Sequence, residues 1–282
     1  MQPSGPTGPG GRDHFVYTLK VGEVYQDTVA ISNLGSETAT FAIYATDAQN
    51  TSDGSFSLMR EEESPTDVGS WVELGATQWT VEPGTRVDIP FAVTVPADVA
   101  PGDHVGAIVA QKIDDPDNPN DGIGFDVRVR VGARLYVRVD GPVNPSLAID
   151  DFAVSYSAPG TPFSGADARV TYTITNTGDI RLSPVAKLGI SGAFGLGEER
   201  LPDRQIPELL PGGSVEISEI VHDVKPYIRI TADLDISSAE TAVSANSSLT
   251  QWAIPVLAVG ALVLIVVGFL GWRIVRRRRA SV

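Results

Sequence analysis

Apolar residues occupy every second position from Ile123 to Val139, nine in succession. Residues two apart lie on the same face of a β-strand, whereas a helix would spread them around its circumference. A single long strand with one buried face is therefore predicted over 123–139. A strand of this length usually bends, and Gly132 is the expected position of the bend.

The remaining sequence up to residue 252 has the same character. Short alternating segments, such as 25–31 and 87–95, are separated by Gly, Pro, Asn and Asp. This pattern is typical of an all-β chain. After Gly141 and Pro142 a second set of strands is predicted near 147–156, 168–176, 185–190, 214–222 and 227–236.

Two features occur once in each set of strands. A strand ends at Asn33 and at Asn176 with a glycine two positions later, and a Pro-Gly turn at 83–84 and at 211–212 precedes a later strand. The repeated order predicts two tandem immunoglobulin-like β-sandwiches. The predicted divisions are a disordered segment (1–12), the first domain (13–142), the second domain (143–236) and a flexible stalk (237–251).

The segment 252–272 contains no charged residue and has tryptophan at both ends. As a helix it would be ~30 Å long, the thickness of a bilayer core, so it predicts a single transmembrane helix in contact with lipid. The Arg-rich tail at 273–282 is then cytoplasmic and the body extracellular, which predicts a single-pass plasma-membrane protein. Because residues 1–12 lack the features of a signal peptide, we expect that one was removed or that the start site lies upstream.

Composition excludes several functions. The chain has no cysteine, which rules out disulfides, thiolate metal sites and a thiol nucleophile. All 35 acidic residues precede Trp252, whereas five of the 21 basic residues follow it. An acidic body repels nucleic acid, so no nucleic-acid partner is predicted. No cofactor and no metal is predicted either.

The first domain resembles a known family. The stretches 27–48, 54–56, 69–75, 81–110 and 127–142 carry the similarity, and PGDHVG at 101–106 is its most specific part. In that order they resemble the peptidoglycan-binding domain of the WxL-interacting protein family of Gram-positive cell surfaces. The resemblance implies that the first domain binds peptidoglycan or an anionic wall polymer. It also implies that the second domain contacts a WxL-type or other surface protein.

Four arginines lie on the face of the 123–139 strand opposite to its apolar residues: Arg128, Arg130, Arg134 and Arg138. Their spacing suits a repeating anionic polymer, and we name them as candidate binding residues. The alternative, which we favour, is ion pairing with Asp or Glu on neighbouring strands.

Trp71 and Trp79 are further candidates, because aromatic faces stack on sugar rings. Core packing is the alternative that we favour for them. The acidic loop 114–122 offers oxygen ligands for Ca²⁺, but a solvated hairpin loop is the preferred interpretation.

Asp103 and His104 in the 101–106 motif complete the candidate binding residues. His104 is the one candidate for a catalytic base, yet no nucleophile or triad accompanies it, so no enzyme is predicted. We expect Asp103 to accept hydrogen bonds from backbone N–H groups at a turn.

These observations predict a membrane-anchored bacterial cell-surface protein. Its distal domain would bind peptidoglycan or wall polymer, and the protein would scaffold other surface proteins. The alternative is a structural or protein-interaction module at the cell surface with no glycan binding.

Overall fold

The computed structural model describes residues 1–4, 12–60, 62–113, 129–159, 164–225, 227–254 and 256–279. It divides into two compact units. Unit 1 contains Met1–Pro145, Asn176–Arg181 and Glu208–Gly213, and unit 2 contains Ser146–Thr175, Leu182–Pro207 and Ser214–Val282. Each unit is built from two β-sheets, so the predicted all-β class is confirmed.

Ten strands form the two sheets of unit 1. They are β1 (Gln2–Pro3), β2 (Phe15–Leu19), β3 (Val24–Ser32), β4 (Ala39–Asn50), β5 (Phe56–Leu58), β6 (Val72–Leu74), β7 (Gln78–Val81), β8 (Arg86–Thr94), β9 (Gly102–Ile113) and β10 (Arg130–Val139). One sheet has the order β1-β3-β8-β6. The other has the order β2-β10-β9-β4-β5, with β7 also paired to β4. A 3₁₀ helix at Val68–Trp71 precedes β6.

The core of unit 1 lies between these sheets. Strand β2 buries every second residue, Phe15, Tyr17 and Leu19, while the residues between them are exposed. Strand β10 contributes Ala133, Leu135, Val137 and Val139 to the same core, and Tyr136 between them is buried as well. Most pairs of neighbouring strands in this unit are antiparallel, whereas β2 runs parallel to β10.

The predicted strand 123–139 is observed from Arg130 onwards, and its residues 123–128 lie outside the described ranges. No β-bulge occurs at Gly132, because the pairing of β10 with β9 continues through it in constant register. The glycine has another structural role. A Cβ atom at this position would lie 3.1 Å from Cδ1 of Leu58, so Gly132 leaves room for that side chain.

Eight strands and one helix belong mainly to unit 2. They are β11 (Leu147–Tyr156), β12 (Ala166–Asn176), β13 (Val185–Gly192), β14 (Glu199–Arg200), β15 (Arg204–Gln205), β16 (Ser214–Val224), β17 (Ile228–Ser238), β18 (Val243–Ala253) and α1 (Val256–Arg279). The sheet orders are β11-β12-β16 and β14-β13-β17-β18, with β15 also paired to β13. Alternate residues of β12, β13 and β17 are buried, among them Tyr172, Ile190 and Leu234.

The segment predicted as a flexible stalk, 237–251, is ordered structure. It contains the end of β17 and most of β18, which pair along eleven residues from Ser238↔Val243 to Ile228↔Ala253. Four small polar residues of β18, Ser244, Asn246, Ser248 and Thr250, occupy exposed positions, and the residues that alternate with them from Val243 to Gln251 are partly buried. Small polar residues can occupy the solvent-facing side of a strand whose backbone is hydrogen-bonded, so composition alone was misleading here.

Among the described residues, no helix is both long and apolar enough to cross a membrane. On this finding the predicted transmembrane helix at 252–272 is wrong, together with the lipid contact, the single-pass plasma-membrane location and the orientation that depended on it. The predicted segment also began too early. Trp252 and Ala253 pair with Arg229 and Ile228 as the last residues of β18, and α1 begins at Val256.

Candidate functional site: the free edge of strand β10

Strand β10 is paired along its whole length on one side only. It bonds to β9 from Arg130 to Val139, whereas β2 covers its other side only from Leu135 to Val139. Among the described residues, positions 130–134 therefore have no strand on the β2 side. We call this stretch the free edge. Alternate residues of such an edge direct their N–H and C=O groups outward, where another strand can bond to them.

Val131 of the free edge and Val129, which directly precedes β10, are exposed. Ala133 and Leu135 are buried in the core of unit 1, and the same face continues to Val131 and Val129. These two side chains are 46% and 61% exposed. A strand bound alongside β10 would cover apolar surface as well as satisfy backbone groups.

The opposite face of the free edge is cationic. The guanidinium of Arg134 lies 4.2 Å from the centroid of the Phe56 ring, and Nη1 of Arg130 donates to the Met59 carbonyl at 3.2 Å. Leu58 packs against Gly132 between them. Segment 56–59 therefore runs along this face and supports both arginines. Within the described part of the chain, neither has a carboxylate partner.

Arg138, further along the same face, is occupied by an ion pair. Its Nε and Nη2 donate to Asp103 at 2.7 and 2.6 Å, as the ion-pairing interpretation predicts for this residue. Asp103 is buried and also accepts from the backbone N–H of Arg181 at 2.8 Å. Burial alone would raise the pKa of Asp103, but the hydrogen bonds from Arg138 and Arg181 outweigh it and lower the pKa.

The Arg181 side chain extends this network. Its guanidinium lies 4.1 Å from the centroid of the Tyr136 ring, and its Nε is 3.3 Å from Asp103. Both contacts are within unit 1, to which segment Asn176–Arg181 belongs. Asp103 and Arg138 therefore form the centre of a network of ion pairs and hydrogen bonds, and their polar groups are already engaged.

His104 has both ring nitrogens engaged. Nδ1 lies 2.6 Å from Asp67 and Nε2 lies 3.1 Å from the Ala100 carbonyl, and the ring centroid is 4.7 Å from that of Trp71. Burial disfavours the charged imidazole, but the hydrogen bond and charge of Asp67 outweigh it and raise the pKa of His104.

Raising the pH from about 5.5 to about 8.5 should therefore destabilise unit 1. Because the pKa of His104 is higher in the folded state, its stabilisation is complete below about pH 6.5 and is lost as the pH rises through the folded-state pKa. Urea unfolding at several pH values measures this loss. Asp67→Asn should reduce it, and an equal loss in the variant and the natural chain would show that the pair is not responsible.

The two tryptophans lie in or against the core. Trp71 is 7% exposed and belongs to the core cluster of unit 1, and Trp79 on β7 is partly buried against the same cluster. Two earlier candidates, Arg128 and the acidic loop 114–122, lie outside the described residues.

Sequence patterns missed two residues that shape the site. Phe56 supports Arg134, and Arg181 binds Asp103. The alternation of Phe56 and Leu58 around Ser57 indicates a strand. It does not indicate that Phe56 contacts Arg134. Arg181 is 78 positions from Asp103, and no local pattern links them.

No protein-family model matches the chain, and no curated protein matches it. Solved structures do resemble it. A structure of the chaperone–tip adhesin complex of CFA/I fimbriae has 13% identity and a TM-score of 0.41, covering 86% of this chain and 96% of that one. The CupB2 chaperone of Pseudomonas aeruginosa has 9% identity and a TM-score of 0.35, covering 86% of this chain and 98% of that one. The E. coli chaperone DraB has 10% identity and a TM-score of 0.36, covering 86% of this chain and 96% of that one.

These findings correct the predicted membership of the WxL-interacting family, which is wrong. No family model matches the chain, and the three similar structures named above are two chaperones and a chaperone–tip adhesin complex. The matching stretches consist of alternating strands joined by Gly, Pro and Asn turns, which any β-sandwich needs. The functions inferred from the resemblance are wrong with it: binding of peptidoglycan or wall polymer, docking of a WxL-type protein, and the alternative of a cell-surface interaction module.

Proposed function

We propose that this chain binds an extended segment of another polypeptide by adding it as a strand alongside the free edge of β10. The observation that carries the proposal is the absence, among the described residues, of a strand beside positions 130–134 on the β2 side, next to two exposed valines of the core face. In strand addition, backbone hydrogen bonds supply affinity, and alternate side chains supply specificity.

The free edge is short, so binding of a peptide should be weak and reversible. Each backbone hydrogen bond contributes about 1 kcal/mol net, and burial of each valine side chain adds up to roughly 1.5 kcal/mol. The loss of translational and rotational freedom opposes these gains. A short peptide should therefore bind in the range of roughly 0.1–1 mM.

The proposed role is binding without a chemical step. Asp103 and His104, which include the candidate catalytic base, are both engaged in hydrogen bonds to protein groups. The proposal also includes the immunoglobulin-like class for both units. The presence of two β-sheets in each unit supports that assignment.

An eight-residue peptide of alternating valine and serine provides the test. Titration followed by NMR should perturb amides of the free edge. Because only every second residue of an added strand bonds to β10, N-methylation of one alternate set of peptide amides should abolish binding, and methylation of the other set should be tolerated.

Val131→Asp should weaken binding of this peptide at least fivefold, because it places a charge on the apolar face of the free edge. Val24→Asp is the matched control, since Val24 is a 55% exposed strand valine of unit 1 on another sheet. Equal effects of the two substitutions, or equal loss with either set of N-methyl groups, would contradict strand addition.

A further inference from the structure

The side chains at the free edge define what a bound strand must present to them. In paired strands, residues directly opposite each other have Cβ atoms about 4.5–5.5 Å apart on the same face. Arg130, Gly132 and Arg134 share one face, whereas Val131 and Ala133 share the other. A bound strand therefore places every second side chain against the arginine face and the side chains between them against the valine face.

The arginine face has a different character at each of its positions. The guanidinium of Arg134 stacks on Phe56, and that of Arg130 is hydrogen-bonded to the Met59 carbonyl. Between them, Leu58 covers Gly132. The bound strand thus meets a cation, an apolar group and a second cation at three successive positions of that face.

Both arginines are held in place before a partner binds. Stacking on an aromatic ring and hydrogen bonding to a carbonyl reduce the conformational entropy that a long side chain loses on forming an ion pair. Arginine in such a position favours a carboxylate, to which it can donate two parallel hydrogen bonds. Among the described residues, neither arginine has a carboxylate partner.

Resting on the proposed function, we infer that the bound segment is acidic, with carboxylates four residues apart facing Arg130 and Arg134. The position between them faces Leu58 and accepts an apolar side chain. The residues that alternate with these are apolar and lie against Val131 and Ala133. The net negative charge of the chain does not prevent this, because charges more than about 8 Å away are largely screened at physiological ionic strength.

Three peptides test the inference: the alternating valine–serine peptide, the same peptide with Asp at two serine positions four apart, and one with Lys at those positions. At low salt the Asp peptide should bind about tenfold more tightly than the serine peptide, since each cross-strand ion pair contributes a modest gain. The Lys peptide should bind more weakly than both. The preference should shrink in 0.5 M salt.

The variant Arg130→Glu with Arg134→Glu should reverse the order, so that the Lys peptide binds best. Such a reversal also demonstrates that the variant is folded. Arg169→Glu is the control, because Arg169 is an exposed strand arginine of unit 2, and it should leave the order unchanged.

The outcomes separate the two proposals. If all three peptides bind at the free edge with equal affinity, the charge preference is wrong and strand addition stands. If none of the three perturbs the free edge, strand addition itself is wrong. Retention of the Asp preference in the double variant would also overturn the assignment to Arg130 and Arg134.

Discussion

Replacing Asn33 by alanine should lower the free energy of unfolding of unit 1 by about 3 kcal/mol, because three side-chain hydrogen bonds of about 1 kcal/mol each are lost. Asn33 is buried at the end of β3. Its Nδ2 donates to the carbonyls of Glu37 and Val81 at 2.8 and 2.9 Å, and its Oδ1 accepts from the Gly35 amide at 3.0 Å. Alanine would leave these backbone groups without their partner.

Urea unfolding of the full chain measures the change, and Asn246→Ala is the control. Asn246 occupies an exposed position of β18, so its replacement should change the stability by less than about 0.5 kcal/mol. Asn33→Asp should be at least as damaging as alanine, because a carboxylate can accept from Gly35 but cannot donate to the two carbonyls. A loss below 0.5 kcal/mol in Asn33→Ala would show that water replaces these bonds.

The same arrangement occurs at Asn176. Its Nδ2 donates to the carbonyls of Ile180 and Leu209, and its Oδ1 accepts from Gly178. The repeated asparagines and Pro-Gly turns in the sequence are physically connected. The Gly84 amide donates to the Asn33 carbonyl and the Gly212 amide to that of Asn176, each at 2.9 Å.

Replacing Asp103 by asparagine should lower the stability of unit 1 by about 2 kcal/mol, because hydrogen bonds to a charged group are lost. The Asp103 side chain is 4% exposed and accepts hydrogen bonds from both Arg138 and Arg181. Asparagine carries no charge to balance the two guanidinium groups, and its amide nitrogen cannot accept from Arg138.

The natural chain should also lose this contribution in acid. Because the pKa of Asp103 is lowered in the folded state, its stabilisation is present above about pH 4 and disappears as the pH falls through the folded-state pKa. Unfolding measured between neutral and acidic pH should show a smaller decrease for Asp103→Asn. Asp98→Asn, at an exposed position, is the control and should follow the natural chain. Parallel curves for Asp103→Asn and Asp98→Asn would refute the stabilising ion pair of Asp103.

Most strands could be predicted from the sequence because their apolar residues alternate. The segments predicted at 147–156, 214–222 and 227–236 lie within a few residues of β11, β16 and β17. Strand β18 was missed because small polar residues fill its exposed face, so hydropathy hardly alternates. The parallel pairing of β2 with β10 joins segments more than 100 residues apart, and alternation does not specify a partner.

The candidate site was only partly predictable for the same reason. Alternation identified both faces of β10, with Val131 on one and Arg134 on the other. Whether a strand has a free edge depends on where its neighbour begins and ends. Strand β2 begins at Phe15, opposite Leu135, and so does not reach residues 130–134. The role of each arginine likewise depends on distant residues, since Arg138 meets Asp103 whereas Arg134 meets Phe56.

Amide hydrogen exchange at the free edge tests the central claim most directly. Without a peptide, the outward amides among residues 130–134 should exchange rapidly, whereas buried amides of β10 beyond Leu135, between β2 and β9, should be protected. A saturating concentration of the Asp-containing peptide should slow exchange at alternate amides of the free edge and leave the exposed amides of β18 unchanged. Binding of the peptide without any added protection at 130–134 would contradict strand addition at this edge.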